Sequence, residues 1–376
     1  MKITDILCHK LYARRQPAFG KSVVTGLGPA AMSKYAMVEI KTNQGIIGYG
    51  EVANVFEPDG HGLADIIDKK LTPLLVDKNP FEIASLNHRL DCVIGPNQRP
   101  AKAGIDIALY DLIGKALDIP IYQLLGGPTR RRIPLSYSIP FGSPDEMAEL
   151  ALAKHNLGFN TIKIKIGQGS DIDIIAIKRI REALGNDITI RIDANMTFTN
   201  IAHACEIIRT IEKYRIELIE QPLTPDRLND IAEIKSRVNT PIMVDESVQG
   251  PNSMLDIVNT SAADITNIYV MESGGITDAT TNFRIAAAAG LRAMIGSMPE
   301  MGIGTAAQIH LGAAVPNLDL ASDCCGSLYH LDDVVRTPFK FDEGFAIVND
   351  APGLGVDVLE KQVQKLSTPP NGLLDP

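Results

Sequence analysis

No stretch of this chain approaches about 18 consecutive apolar residues, so nothing in it reads as a membrane-spanning helix. The N-terminal MKITDILCHKLYARR lacks the apolar core of a secretory signal. Cysteines are few, odd in number and scattered: Cys8, Cys92, Cys205, Cys324 and Cys325. Such a set is no disulfide framework and fits reduced thiols, so a cytoplasmic protein is expected. A basic excess is also missing. The formal net charge of -9 argues against nucleic acid or an anionic membrane as the main partner. It leaves room for a small anionic substrate, because a metal ion and lysines can reverse the sign inside one pocket.

What is present is a 376-residue chain, 45% hydrophobic and 22% charged, long enough for one large domain and a smaller one. From residue 131 a short β-branched run, a turn and an amphipathic helix recur. The runs are 133–139, 161–167, 189–195, 217–223, 241–247, 265–271, 291–297 and 318–322. Eight such units at the spacing of one βα repeat predict an α/β fold, a parallel (β/α)8-type barrel. A doubly wound open sheet is the alternative, and the strand count disfavours it. Ser143-Pro144-Asp145-Glu146 reads as a capping box ahead of one helix.

Residues 1–130 read instead as an α+β capping domain. Segments 1–12, 35–41 and 45–51 alternate like antiparallel strands, with a hairpin signal at Asn43-Gln44-Gly45, and helices follow over 81–92 and 101–118. The Gly-rich, aperiodic segment 14–34 reads as a lid. The barrel is assigned to 131–338, and 339–376 is expected to pack back on the capping domain.

Charges interrupt these strands near their C-terminal ends, where active sites of this architecture lie. Lys163 and Lys165 are two apart and share a strand face, while Ile162, Ile164 and Ile166 take the other. The next three strands end with Asp193 and Asn195, then Glu220, then Asp245 and Glu246. Acids on successive strand ends converge on one rim, where repulsion would raise their pKa values or demand a cation. Hard oxygen donors, with no suitable Cys or His nearby, select magnesium, with manganese as a second choice. The competing reading is a lysine–carboxylate ion-pair network without metal. A metal on a substrate carboxylate would stabilise an enediolate, and Lys165, tuned by Lys163, would serve as the acid/base.

At these residues the chain resembles the enolase superfamily, in its muconate lactonizing enzyme subgroup. The resemblance rests on Lys163-x-Lys165, on Asp193, Glu220 and Asp245 in that order, on Asp245-Glu246-Ser247, and on AGIDIALYDLIGKALDIPIYQLLGG. It implies Lys165 as acid/base, Lys163 touching the substrate carboxylate, Asp193, Glu220 and Asp245 on magnesium, and Glu246 beside Lys165 or its neighbours. It also implies a homo-oligomer and a capping domain that closes through 14–34 and the segment near Val52–Phe56.

Two departures matter. The subgroup carries a lysine on the sixth strand, and Tyr269 stands there; no lysine occurs between Lys235 and Lys340. Tyr269 is therefore expected to act as an acid/base, to contact substrate, or to pack. The subgroup's dipeptide epimerases carry Asp-x-Asp on the last strand, and only Asp323 of Asp323-Cys324-Cys325 remains, free to hold one amine or hydroxyl. Asn195, Glu246, Ser297, Glu300 and Asp323 are the expected substrate contacts, and Gly302-Ile303-Gly304 is expected either to open a helix that accepts an anion or to be a plain strand-to-helix turn. His310 and His330 are expected to be structural. The expected function is a magnesium-dependent lyase or cycloisomerase acting beside the carboxylate of a small substrate. The alternatives are a racemase or epimerase of an amino-acid-like or hydroxy acid with Tyr269 on the opposite face, or a lapsed, acid-binding barrel.

Overall fold

The computed structural model describes residues 1–20, 32–95, 97–336 and 339–370. Three antiparallel strands, Ile3–Arg14, Met32–Thr42 and Ile47–Val52, lie in sequential order at the N-terminal end. Gly45 turns the hairpin with a φ of 77°, a conformation cheap only for glycine. Of the expected lid over 14–34, residues 21–31 lie outside the described residues. The near end of that segment is fastened. Arg14 Nε donates to Asp332 at 2.7 Å, and the Gln16 N–H donates to the Tyr329 carbonyl at 2.8 Å.

Helix Arg99–Leu117 lies across this sheet, with Pro100 in its first turn and a left-handed Asp118 beyond its end. Its residues are buried on nearly every side, as befits a helix packed between layers. A Cβ on Gly50 would sit 1.9 Å from the Gly104 carbonyl oxygen, so the strand and helix backbones meet through two glycines. The buried polar groups of the helix are paired outward. Lys102, fully buried, donates to Asp91 at 2.7 Å and to Asp278 of helix Ile276–Ala289 at 2.8 Å. Asp106 accepts from Asn87 and Thr277, and Asp111 from Tyr49, Lys115 and Leu354. One helix thus ties the N-terminal sheet, a barrel helix and the C-terminal segment.

Seven parallel strands follow: Ser136–Ile139, Thr161–Lys165, Thr189–Asp193, Ile216–Glu220, Ile242–Val244, Ile265–Ile268 and Arg292–Ile295. The capping box at Ser143 and Glu146 is present, and Gly185 ends helix Ser170–Leu184. Ile162, Ile164, Ile190, Ile192 and Ile219 are buried in the large core under the helices. Inside the ring, Leu218, Met243, Ile265, Met294 and Leu320 form their own cluster. Arg191 lies in the same interior, 1% exposed, donating to Glu217 and to the Ala321 carbonyl.

The eighth run, 318–322, is not a regular strand. It still closes the ring: the Asp319 and Asp323 N–H groups donate to Ala293 and Ile295, and Ser322 exchanges bonds with Pro134 and Ser136. The side chains of Asp319 and Ser322 accept from the Ala293 and Ile295 N–H groups, replacing backbone partners a ladder would use. The first run also divides. Arg132–Pro134 pairs with Phe345–Ile347 of the C-terminal segment, and only Ser136–Ile139 joins the barrel sheet.

Gly302–Ala314 is a helix, and the N–H groups at its start do take a carboxyl group, but that group is internal. Glu51, at the end of the third N-terminal strand, accepts from Met301 at 2.7 Å and Gly304 at 2.8 Å. Two consequences can be measured. Lys102→Ala removes a fully buried side chain and takes the ammonium from part-buried Asp278 and from exposed Asp91, and is expected to cost about 3 kcal/mol in urea unfolding. A loss below about 1 kcal/mol would mean the pair behaves like a surface one. Burial pushes the Glu51 carboxyl up to about 8, from an ordinary 4.5. Folding therefore favours its protonated form, and its cost is nil below the ordinary value and grows as pH rises towards 8. Glu51→Gln should flatten the fall in Tm between about pH 5 and about pH 8, and an unaltered profile would clear Glu51 as its source.

Candidate active site

Strand register sets the site. Lys165 is level with Asp193, and Asp193 is level with Glu220, across three neighbouring strands. Asp245 follows Val244, the last residue of the fifth strand. One carboxylate oxygen from each of Asp193, Glu220 and Asp245 lies within 4.8 Å of the others, and all three residues are buried. The chain leaves the third and fourth strands through left-handed residues, Asn195 at φ 37° and Gln221 at φ 34°. Those turns are sparsely populated for residues with side chains and are held by specific bonds. The Asn195 N–H donates to Asp193 at 3.0 Å, while the Gln221 amide oxygen accepts from the Asp245 N–H at 2.7 Å.

Burial and mutual repulsion govern this cluster. Burial and Asp193 raise the Glu220 carboxyl, and burial and Glu246 raise Asp245 well above its ordinary value. Asp193 goes the other way: against burial, Lys165 and Lys163 hold it ionised. Glu220 Oε2 and Asp245 Oδ1 are buried with no hydrogen-bond partner. Two unsatisfied acceptors and a third carboxylate, all oxygen donors, make a set that fits a hard divalent cation.

Both lysines turn to this point. Lys165 Nζ donates to Asp193 at 2.8 Å and to Asn195 at 2.6 Å. Lys163, 4% exposed, donates to Asp323 at 2.6 Å and to Glu220 at 3.3 Å. Burial opposes its charge, but Asp323, Glu220 and Asp193 outweigh that and raise it well above the ordinary lysine value.

A cavity above the cluster is lined by both lysines, Asn195, Asp245, Glu246, Tyr269, Glu272, Ser297 and Asp323. Val55 and Phe56 reach it from the N-terminal part, and Met298, Pro299 and Tyr329 add apolar wall. Tyr269 directs its hydroxyl at the metal cluster, donating to Asp245 at 3.1 Å. Its ring fills the place of a side chain at position 296, since a Cβ on Gly296 would lie 2.2 Å from it. Burial and Asp245 raise its phenol well above the ordinary value.

Asn195 bridges Lys165 to Glu246, whose Oε1 accepts from its amide at 3.0 Å. Burial, aided by Asp193, raises the Glu246 carboxyl to about 7. One expected substrate contact is corrected. Asp323 does line the cavity, with Lys163 and the Ser136 hydroxyl each on one of its oxygens. Glu300 does not line the cavity. It is fully buried and accepts from the Ser297 hydroxyl and the Met298 N–H of its own loop. His310 and His330 are buried and bonded to the Leu354 carbonyl and to Ser33, and burial lowers both to about 4.

Sequence reasoning passed over Asn267, Glu272 and Tyr329. Asn267 donates to Glu220 at 3.0 Å. The signal for it was available, because Asn267 lies two residues before Tyr269 and therefore on the same strand face. Glu272 follows the strand end in a helical turn, where strand periodicity says nothing about direction.

Residues 146–362 match the family described as Enolase C-terminal domain-like, and residues 11–126 match the mandelate racemase / muconate lactonizing enzyme N-terminal domain. The chain is 33% identical to an N-succinyl-L-Arg/Lys racemase of Bacillus cereus, over 98% of this chain and 98% of that one. A crystal structure of N-succinyl Arg/Lys racemase from that organism matches with a TM-score of 0.92 and 31% identity, over 97% of this chain and 98% of that one. A hydrophobic dipeptide epimerase of Enterococcus faecalis is 39% identical over 78% of this chain and 83% of its own. Muconate cycloisomerase 1 of Rhodococcus opacus is 30% identical over 86% and 88%. Matches to both family domains, over residues 11–126 and 146–362, together with these relatives, make this chain a member of the enolase superfamily, in its muconate lactonizing enzyme-like subgroup.

Proposed function

We propose that the protein is a magnesium-dependent lyase or cycloisomerase that moves a proton on the carbon beside a substrate carboxylate, from one face, through Lys165. The observation that carries this reading is the asymmetry of the cavity. Its lining holds two amines, both on the second strand, and Lys163 is tied to Asp323 and Glu220. Across the ring, on the sixth strand, stands a phenol whose hydroxyl is given to Asp245. Asp193, Glu220 and Asp245 would hold the ion, which supplies electrostatic stabilisation where charge develops on the substrate carboxylate. Lys165, held by Asp193 and Asn195, takes or returns the proton. Lys163 keeps positive charge beside the incoming carboxylate, and Phe56, Met298 and Tyr329 exclude water from it.

In deuterium oxide with magnesium and a panel of small carboxylates, the expected result is deuterium uptake beside the carboxylate, or elimination there, without inversion. Chelation abolishes it, and Lys165→Ala lowers it about a hundredfold or more. A labelled racemic pair from one enantiomer would sink the one-face reading. Tyr269→Phe removes a hydrogen bond to Asp245 and is expected to weaken magnesium about tenfold, read by titration of the thermal shift.

A second reading has support from the relatives, two of which are named for racemisation or epimerisation. Under it Tyr269 serves as the acid/base opposite Lys165. Tyr269→Phe would then abolish inversion while proton exchange from the Lys165 side persists at saturating magnesium. Equal loss of both would count against separate roles.

A further inference from the structure

We propose that Glu246 and Glu272 form a subsite for a cationic nitrogen, so that the substrate is an amino or imino acid carrying its positive charge. The proposal rests on the reading that this cavity takes a carboxylate, and it names the second group that such a substrate carries. Both residues line the cavity beside Lys165 and Tyr269. Both are more than nine-tenths buried, Glu246 at 5% and Glu272 at 8% exposure. Both keep a carboxylate oxygen, Oε2, without any hydrogen-bond partner. The other acids at this site are engaged. Asp323 is held by Lys163 and Ser136, and Asp193 by Lys165 and the Asn195 N–H. Glu220 and Asp245 belong to the metal cluster, and each has one unpartnered oxygen.

Charge points the same way. Six carboxyl groups, of Asp193, Glu220, Asp245, Glu246, Glu272 and Asp323, meet two ammonium groups, of Lys163 and Lys165. Acceptors in that excess leave room for a further cation, and none of the described cavity residues supplies it. An ammonium group offers donors that match the open oxygens of Glu246 and Glu272. Asn195 spans from Lys165 Nζ to Glu246 Oε1, so the nitrogen would sit one side chain from the proton-moving amine, close to the reacting carbon.

The test is binding, so it does not depend on turnover. Magnesium-loaded protein is titrated calorimetrically with matched sets of free amino and imino acids, their N-acetyl derivatives and their α-hydroxy analogues. The Lys165→Ala variant is titrated in parallel, to hold ligands unreacted. Free amino or imino acids are expected to bind about tenfold or more tightly than both neutral analogues. Glu272→Gln, close in shape, should erase that preference without weakening magnesium, and Glu246→Gln, whose carboxyl bears on Asp245, should erase it at saturating magnesium. Equal binding of the neutral analogues, binding of no ligand in any set, or a preference that survives both variants overturns the subsite. Preferential binding with no proton exchange on any ligand would instead overturn the proposed reaction and leave the subsite standing.

Discussion

Three carboxylates that converge within 4.8 Å in a buried site repel one another, and the rest of this structure answers that repulsion. In water two such charges would interact weakly, but burial removes the screening that makes proximity tolerable. The answer is spread over neighbouring strands. Lys165 meets Asp193 in register from one side, and Lys163 reaches past it to Glu220. Asn267 adds an amide to Glu220, Tyr269 a hydroxyl to Asp245, and Gln221 holds the Asp245 backbone. After these bonds are counted, Glu220 and Asp245 still have open oxygens. A site that gathers side chains from five successive strands and still leaves those acceptors open is shaped for a metal ion rather than for an ion-pair network alone.

The same site makes the N-terminal part necessary. Its third strand carries Glu51 to the start of helix Gly302–Ala314, and its second carries Tyr35, whose hydroxyl donates to the Met298 carbonyl at 2.6 Å. Both contacts bear on the loop of Ser297, Met298 and Pro299, which is cavity wall. The Lys102 bonds to Asp91 and Asp278 fix the helix on which that sheet rests. Cavity shape is therefore set by bonds between the two parts, and the buried polar groups at their junction specify how they dock.

Much of this was legible in the sequence because two periodicities carry it. Period two put Lys163 and Lys165 on one face and Ile162 and Ile164 on the other, and the recurring βα spacing aligned Asp193, Glu220 and Asp245. Legibility failed where side chains take over backbone work or where the chain leaves regular structure. Asp319 and Ser322 accept ladder N–H groups, so an apolar run did not become a regular strand. Glu300 and Asp323 look like free acids in the sequence, and their engagement comes from partners Ser297, Lys163 and Ser136, two of them far away in the chain. The carboxyl partner of Gly302–Gly304 was also long-range, arriving from residue 51.

The exchange of lysine for tyrosine on the sixth strand then changes more than the identity of one acid/base. A lysine at position 269 would bring a third ammonium to the cavity, aimed at the cluster that already holds two. Tyr269 brings a neutral hydroxyl, and Glu272, three residues on, brings a further carboxyl group to the same wall. Relative to the subgroup's pattern, the sixth-strand side of this cavity is the less positive one. That shift removes an amine base from one face of the substrate and at the same time leaves the face attractive to positive charge. One local departure thus favours single-face chemistry and a positively charged substrate together, and the two expectations share a cause in the charge of one strand end.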